Sequence, residues 1–197
     1  EPGPMGVAGP EVSKAVREML EKKGIGYYPQ HQIAEVDGVA QRLRFGSGAE
    51  VSYDLLAYVP PHRAPLVLRD AGLCGDSGWI SVDRYTLETK HPQVYALGDA
   101  TSIPLAMGKP LPKAGVFAHY QAEVVAKNLA RVLDGKRQPT TFDGKGECFI
   151  EVGDGKAGFG AGNFYAEPVP QVTFHPPGRR WHAAKVLFEK DWLRRWF

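Results

Sequence analysis

The residues Val94-Tyr95-Ala96-Leu97-Gly98-Asp99 run four apolar positions into a glycine and then a bare carboxylate. A buried strand that stops there has two uses. Either Asp99 caps the turn that follows, or it accepts hydrogen bonds from the hydroxyls of a ribose or ribityl chain, a charge-assisted contact worth about 1.5–3 kcal/mol. Gly98 lacks a Cβ and lets a ligand approach the backbone closely. Farther along, a helix is predicted to begin after Pro112-Lys113-Ala114-Gly115. Its N-terminal N–H groups, equivalent to about half a positive charge, then face back towards the same place. Ligands in open α/β sheets lie beyond the carboxyl ends of strands, at such a strand–loop–helix junction. Cys148 stands in Glu147-Cys148-Phe149-Ile150-Glu151, where strand alternation puts Cys148 and Ile150 on one face and Phe149 and Glu151 on the other. That thiol is either a small buried hydrophobe or a redox group. His119 and Tyr120 sit early in the helix that follows Lys113. A histidine there either relays a proton or is simply packed. Cys74, in a loop, is given no role.

The elements that must hold these residues are legible from period and punctuation. Residues 10–23 predict an amphipathic helix: Pro10 suits its first position, Val12, Ala15, Val16, Met19 and Leu20 share a face, and Gly24 caps the end. Ile25–Tyr28 is expected as a short strand. Gln32–Val36, Ala40–Phe45 and Glu50–Tyr53 are expected as an antiparallel meander, with turns at Asp37-Gly38 and Ser47-Gly48. Asp54–Val59 and Val94–Leu97 read as strands buried on both faces, Trp79–Val82 as a short strand, and 62–78 as loop. A helix is predicted over Val116–Leu133, with Phe117, Gln121, Val125, Leu129 and Val132 or Leu133 facing inward and Asp134-Gly135 ending it. After a linker at 136–139, Glu147–Val152 and Ala157–Tyr165 form a hairpin across Gly153-Asp154-Gly155. Gln171–Phe174 adds a strand, and Arg179–Phe197 forms a last helix.

Composition narrows the class. The chain has 197 residues, 43% hydrophobic and 23% charged, with 23 glycines and 16 prolines for turns. A net charge of +2 and no basic, aromatic-interleaved face speak against nucleic acid as a partner. Two cysteines far apart make neither a disulfide framework nor a zinc site, so no metal is expected and a reducing, cytoplasmic compartment is. The chain opens on a Pro/Gly-rich loop without an initiator methionine, as an excerpt of a longer polypeptide would.

The stretch Thr86-Leu87-Glu88-Thr89-Lys90-His91-Pro92-Gln93-Val94-Tyr95-Ala96-Leu97-Gly98-Asp99 resembles the second flavin-binding motif of the FAD-dependent pyridine nucleotide-disulfide oxidoreductases. The resemblance extends over the meander, the strand DLLAYVPPHR and the helix PLPKAGVFAHYQAEVVAKNLA, and is nearest to the sulfide:quinone oxidoreductase-like branch. It implies an α/β fold, part of a two-dinucleotide-binding-domain flavoprotein. Residues 1–75 would be the remainder of the NAD(P)-like domain, 76–135 the second half of the FAD domain, and 136–197 a C-terminal region with hairpin and amphipathic helix. The Gly-rich pyrophosphate loop of that family is not found; Gly158-Phe159-Gly160-Ala161-Gly162-Asn163 lies between strands and opens no helix.

The roles implied are specific. FAD is the cofactor, with Gly98, Asp99, Lys113, Ala114 and Gly115 at its ribityl and ring side. Lys113 and the helix start stabilise the negative charge of the reduced ring. Cys148 handles sulfur with a second cysteine from the part of the protein not in this chain, and His119 relays a proton to a quinone-like acceptor. The missing N-terminal half is itself a partner. The last helix, with Trp181, Phe188, Trp192 and Trp196 along one side between basic residues, either packs over a domain or lies on the inner face of a membrane. Two other functions stay open: an NAD(P)H:acceptor oxidoreductase without cysteine chemistry, and a non-catalytic fragment that acts in folding or partner binding.

Overall fold

The computed structural model describes residues 3–136 and 138–197. Helix α1 spans Pro10–Lys22, with proline in its first turn and Gly24 at positive φ beyond its end. The meander follows as β1 (Ile33–Asp37), β2 (Arg42–Phe45) and β3 (Glu50–Ser52), antiparallel in that order. The Asp37 carboxylate caps the first turn through the Val39 and Ala40 amides.

Four expected strands fail, for one reason. No strand forms at 25–28 or at 54–59, where Asp54 and Leu55 form a bend, and Leu55 is 90% exposed. Trp79–Val82 and Val94–Leu97 are reduced to isolated bridges, Ile80 with Cys74 and Thr101, Tyr95 with Glu88. Apolar runs become strands only where a neighbouring backbone completes the ladder, and beside these runs the described residues supply no more than isolated bridges. A short helix α2 (Leu66–Asp70) forms where a loop is expected.

Helix α3 spans Gly115–Leu133 and carries the core. Phe117, Val124 and Val125 pack on Leu87, Ile103, Leu105, Leu111 and Phe142. Gln121 and Asn128 complete the buried face, while Leu129 and Leu133 are exposed. An inner face drawn in steps of four drifts by about 40° a step, so Leu129 has turned away by the third. Buried Asn128 is satisfied by the Thr140 carbonyl and amide at 3.0 and 2.7 Å, which fastens the linker to the helix.

The second sheet is β4 (Lys145–Gly153), β5 (Lys156–Asn163) and β6 (Gln171–Gly178), antiparallel in chain order. Asp154 and Gly155 both have positive φ, the two-residue turn that matches strand twist. One face carries Phe149 and Phe159 against Trp181 and Phe188 of α4 (Arg179–Trp196). The other turns Cys148, Ile150 and Phe174 towards the start of α3.

Gly146 marks the closest approach of that sheet to α3: an added Cβ would overlap the Phe117 ring. Gly146→Ala is therefore expected to destabilise the protein by about 1–3 kcal/mol, a fall in Tm of roughly 2–12 °C. Gly38→Ala, where nothing lies within 4 Å, is the control and stays within about 0.5 kcal/mol.

Candidate functional site

The loop at Gly98–Ala100 folds as a single 3-10 turn with Gly98 at φ 62°. A Cβ there would lie 3.0 Å from the Ala118 methyl, so both conformation and space call for glycine. The Gly98 amide donates to Gln121 Oε1 at 2.7 Å, and Thr101 Oγ1 donates to the Gly98 carbonyl at 2.8 Å. Helix α3 thus holds the loop through a buried glutamine. A polar residue among apolar ones on its inner face was the sequence signal for that contact.

Asp99 lines the cleft between this loop and the Pro112–Ala114 turn. It is exposed, and its carboxylate accepts no hydrogen bond from the described residues, so it does not cap its own turn. Lys113 lines the same cleft. Its Nζ donates to the Asp99 carbonyl at 2.6 Å and the Thr101 carbonyl at 2.7 Å, and sits 3.5 Å over the Trp79 ring. Partial burial pushes the Lys113 pKa down, and the Asp99 charge opposes that. Trp79 in this role has no sequence signal, because the contact joins distant loops.

Ala114 is the N-cap of α3 and Gly115 its first residue, with no side-chain cap. Ala114 lines the cleft while Gly115 does not, and the Phe117 and Ala118 amides bond to the Ala114 carbonyl, so the helix start places its positive dipole end beside the cleft. The site therefore brings an exposed carboxylate, an ammonium and a helix N-terminus together around one glycine-floored opening.

Beside it lies a cavity of about 250 Å³, between the β4–β6 sheet, the start of α3 and residues 5–12. Pro112, Ala114 and Phe117 line both spaces, so the two adjoin. The rest of the cavity wall is apolar, including Val116, Ile150, Phe164 and Phe174, apart from Glu147 and Cys148. Cys148 is exposed as a residue, yet the protein around its sulfur pushes the thiol pKa up. Its Sγ contacts the Phe149 carbonyl at 3.3 Å.

His119 lies elsewhere. Its ring packs 4.8 and 5.4 Å from Trp192 and Trp196 of α4, its Nε2 is 3.4 Å from Glu123, and it lines neither space. Cys74 also lines neither. Among the described residues there is no His/Cys/Asp/Glu group fit for a metal ion, and no helix long and apolar enough to cross a membrane.

Residues 1–122 match the pyridine nucleotide-disulphide oxidoreductase family. The mitochondrial sulfide:quinone oxidoreductase of Schizosaccharomyces pombe is 31% identical over 140 residues, 71% of this chain and 27% of that protein. The sulfide:quinone oxidoreductase structure from Aquifex aeolicus superposes with a TM-score of 0.84 over 99% of this chain and 48% of its own, at 20% identity. An FAD-dependent pyridine nucleotide-disulphide oxidoreductase from Desulfovibrio vulgaris gives 0.55 over 82% and 40%, at 25% identity. The chain spans about a third or less of the length of the curated relatives it matches.

Proposed function

The chain belongs to the pyridine nucleotide-disulphide oxidoreductase family, and from that premise we propose that it forms the later part of a sulfide-oxidising, quinone-reducing flavoprotein. Its fold is part of a two-dinucleotide-binding-domain flavoprotein, and FAD is the cofactor of that family. The residues present suit the ribityl and ring side of FAD: an exposed carboxylate and a cation at a cleft, next to an apolar chamber wide enough for part of a ring system. When bound, FAD supplies the two-electron chemistry.

The rest follows from this chain's residues. Asp99 accepts hydrogen bonds from the ribityl hydroxyls over Gly98. Lys113 and the Ala114–Gly115 helix start hold negative charge on the reduced ring, which favours reduction. Cys148 handles sulfur from the donor. Residues 1–75 belong with an NAD(P)-like domain, 76–135 with the FAD domain, and 136–197 with a C-terminal region; the remaining half of the protein supplies the pyrophosphate side. Helix α4 leaves Phe188, Leu193, Trp196 and Phe197 exposed beside Arg194 and Arg195, which suits peripheral contact with a membrane that dissolves quinone.

The observation that carries the reading is the single thiol of Cys148 in a cavity adjoining the Asp99–Lys113 cleft. The test is anaerobic mixing of the flavin-loaded, full-length protein with each donor. Sulfide is expected to bleach the flavin absorbance and a short-chain quinone to restore it, with NADH and NADPH inert over the same time. Bleaching by a pyridine nucleotide and not by sulfide would overturn it.

A further inference from the structure

Two amide side chains are buried on the inner face of α3, Gln121 and Asn128, and they are satisfied differently. Asn128 uses both ends, its nitrogen donating to the Thr140 carbonyl at 3.0 Å and its oxygen accepting from the Thr140 amide at 2.7 Å. Gln121 is 1% exposed and uses one end, Oε1 accepting from the Gly98 amide at 2.7 Å. An N–H needs an acceptor opposite it, so that bond fixes which way the glutamine amide points. The other end, Nε2, has two N–H groups and donates to no described residue. The sealed side-chain nitrogens without a partner among the described residues are Arg84 Nε and Trp181 Nε1, and Gln121 Nε2 is not one of them. It therefore opens on the cleft that Gln121 lines with Gly98, Asp99 and Lys113. A buried donor left without an acceptor costs more than an ordinary hydrogen bond contributes, so this end is built to meet an oxygen in the cleft.

Asp99 directly follows the glycine that Gln121 holds, and its exposed carboxylate lines the same cleft. A hydroxyl suits both groups at once, because it donates one hydrogen bond and accepts others. A carbonyl would suit the amide alone, and a cation the carboxylate alone. We propose that Gln121 is a ligand-binding residue: its Nε2 donates to the oxygen of a ribityl hydroxyl whose own O–H is donated to Asp99, while its Oε1 holds the Gly98 turn in place. The proposal rests on the reading of the cleft as the ribityl side of an FAD site. It makes the cleft selective for a hydroxyl-bearing chain, since a chain of the same length without that hydroxyl leaves a carboxylate and a buried amide both unanswered.

The test is binding to the full-length apoprotein, read from flavin fluorescence, with FAD and its 2′-, 3′- and 4′-deoxyribityl analogues as probes. In the wild type, one analogue is expected to bind about ten- to hundredfold more weakly than FAD. Gln121→Glu keeps an oxygen for the Gly98 amide but has no N–H. It is expected to weaken FAD by at least about threefold and to shrink the penalty for that same analogue by about three- to tenfold, with the penalties for the other two unchanged. Gln121→Met, neutral and lacking both ends, is expected to show the same shrunken penalty whatever its overall affinity, and circular dichroism checks that both variants fold. Wild-type penalties in both variants, or a penalty that shrinks in Gln121→Met alone, would overturn the proposal and leave Gln121 a loop anchor. A wild-type protein that binds FAD with no penalty for any analogue, or binds no FAD, would instead overturn the reading of the cleft beneath it.

Discussion

Asp99→Ala, made in the full-length protein, is expected to purify with little or no FAD. The carboxylate is exposed at the cleft, takes no hydrogen bond from the described residues, and stands beside a glycine that leaves room for a ligand against the backbone. Its removal therefore costs the fold little and the cofactor a charge-assisted contact of about 1.5–3 kcal/mol, a ten- to hundredfold weaker Kd. Asp99→Asn, which keeps one acceptor oxygen and loses the charge, should fall between. Gly98→Ala should be as severe as Asp99→Ala by another route, because φ 62° and the Ala118 methyl both exclude a side chain, and moving the loop breaks the Gly98–Gln121 bond. The measurements are flavin-to-protein ratio and FAD titration of the apoprotein, with circular dichroism to confirm folding. An Asp99→Ala protein with full flavin content and unchanged Kd would remove Asp99 from the site.

How much of this was legible before any coordinates depends on whether the information is local. Helices α1, α3 and α4 announce themselves because period and terminal residues lie within one segment, and the meander and the β4–β5 hairpin because Asp37-Gly38 and Asp154-Gly155 specify their turns. Val94–Leu97 misleads because an apolar run records that something covers it, not that a ladder partner belongs to the same chain. The site divides the same way. Asp99 and the Lys113 turn lie between an apolar run and a helix start that sequence displays. The Lys113–Trp79 and Tyr120–Glu147 contacts, and the placing of His119 among tryptophans, depend on how remote segments are brought together. Strand alternation did place Cys148 and Ile150 on the cavity face and Phe149 on the α4 face, since a two-residue period is as local as a turn.

The same alternation sets up the larger functional test. Cys148→Ser is expected to lower sulfide-dependent bleaching of the flavin by at least about a thousandfold, because the serine hydroxyl does not form the anion that attacks or carries sulfur. Flavin content, and bleaching by dithionite, should be those of the wild type, since the cleft that holds Asp99 and Lys113 contains no part of this side chain. The pH profile gives the sign. Burial pushes the Cys148 thiol above its ordinary value, so near neutrality most of it is protonated, and the thiolate fraction rises about tenfold per pH unit until the raised pKa is passed. The sulfide-dependent rate should climb with pH through that window once the ionisation of sulfide itself is allowed for, and alkylation of the thiol should abolish it. In Cys148→Ser neither the climb nor the alkylation effect should remain. A serine variant that oxidises sulfide at the wild-type rate would leave Cys148 a packing residue and move the chemistry to NAD(P)H.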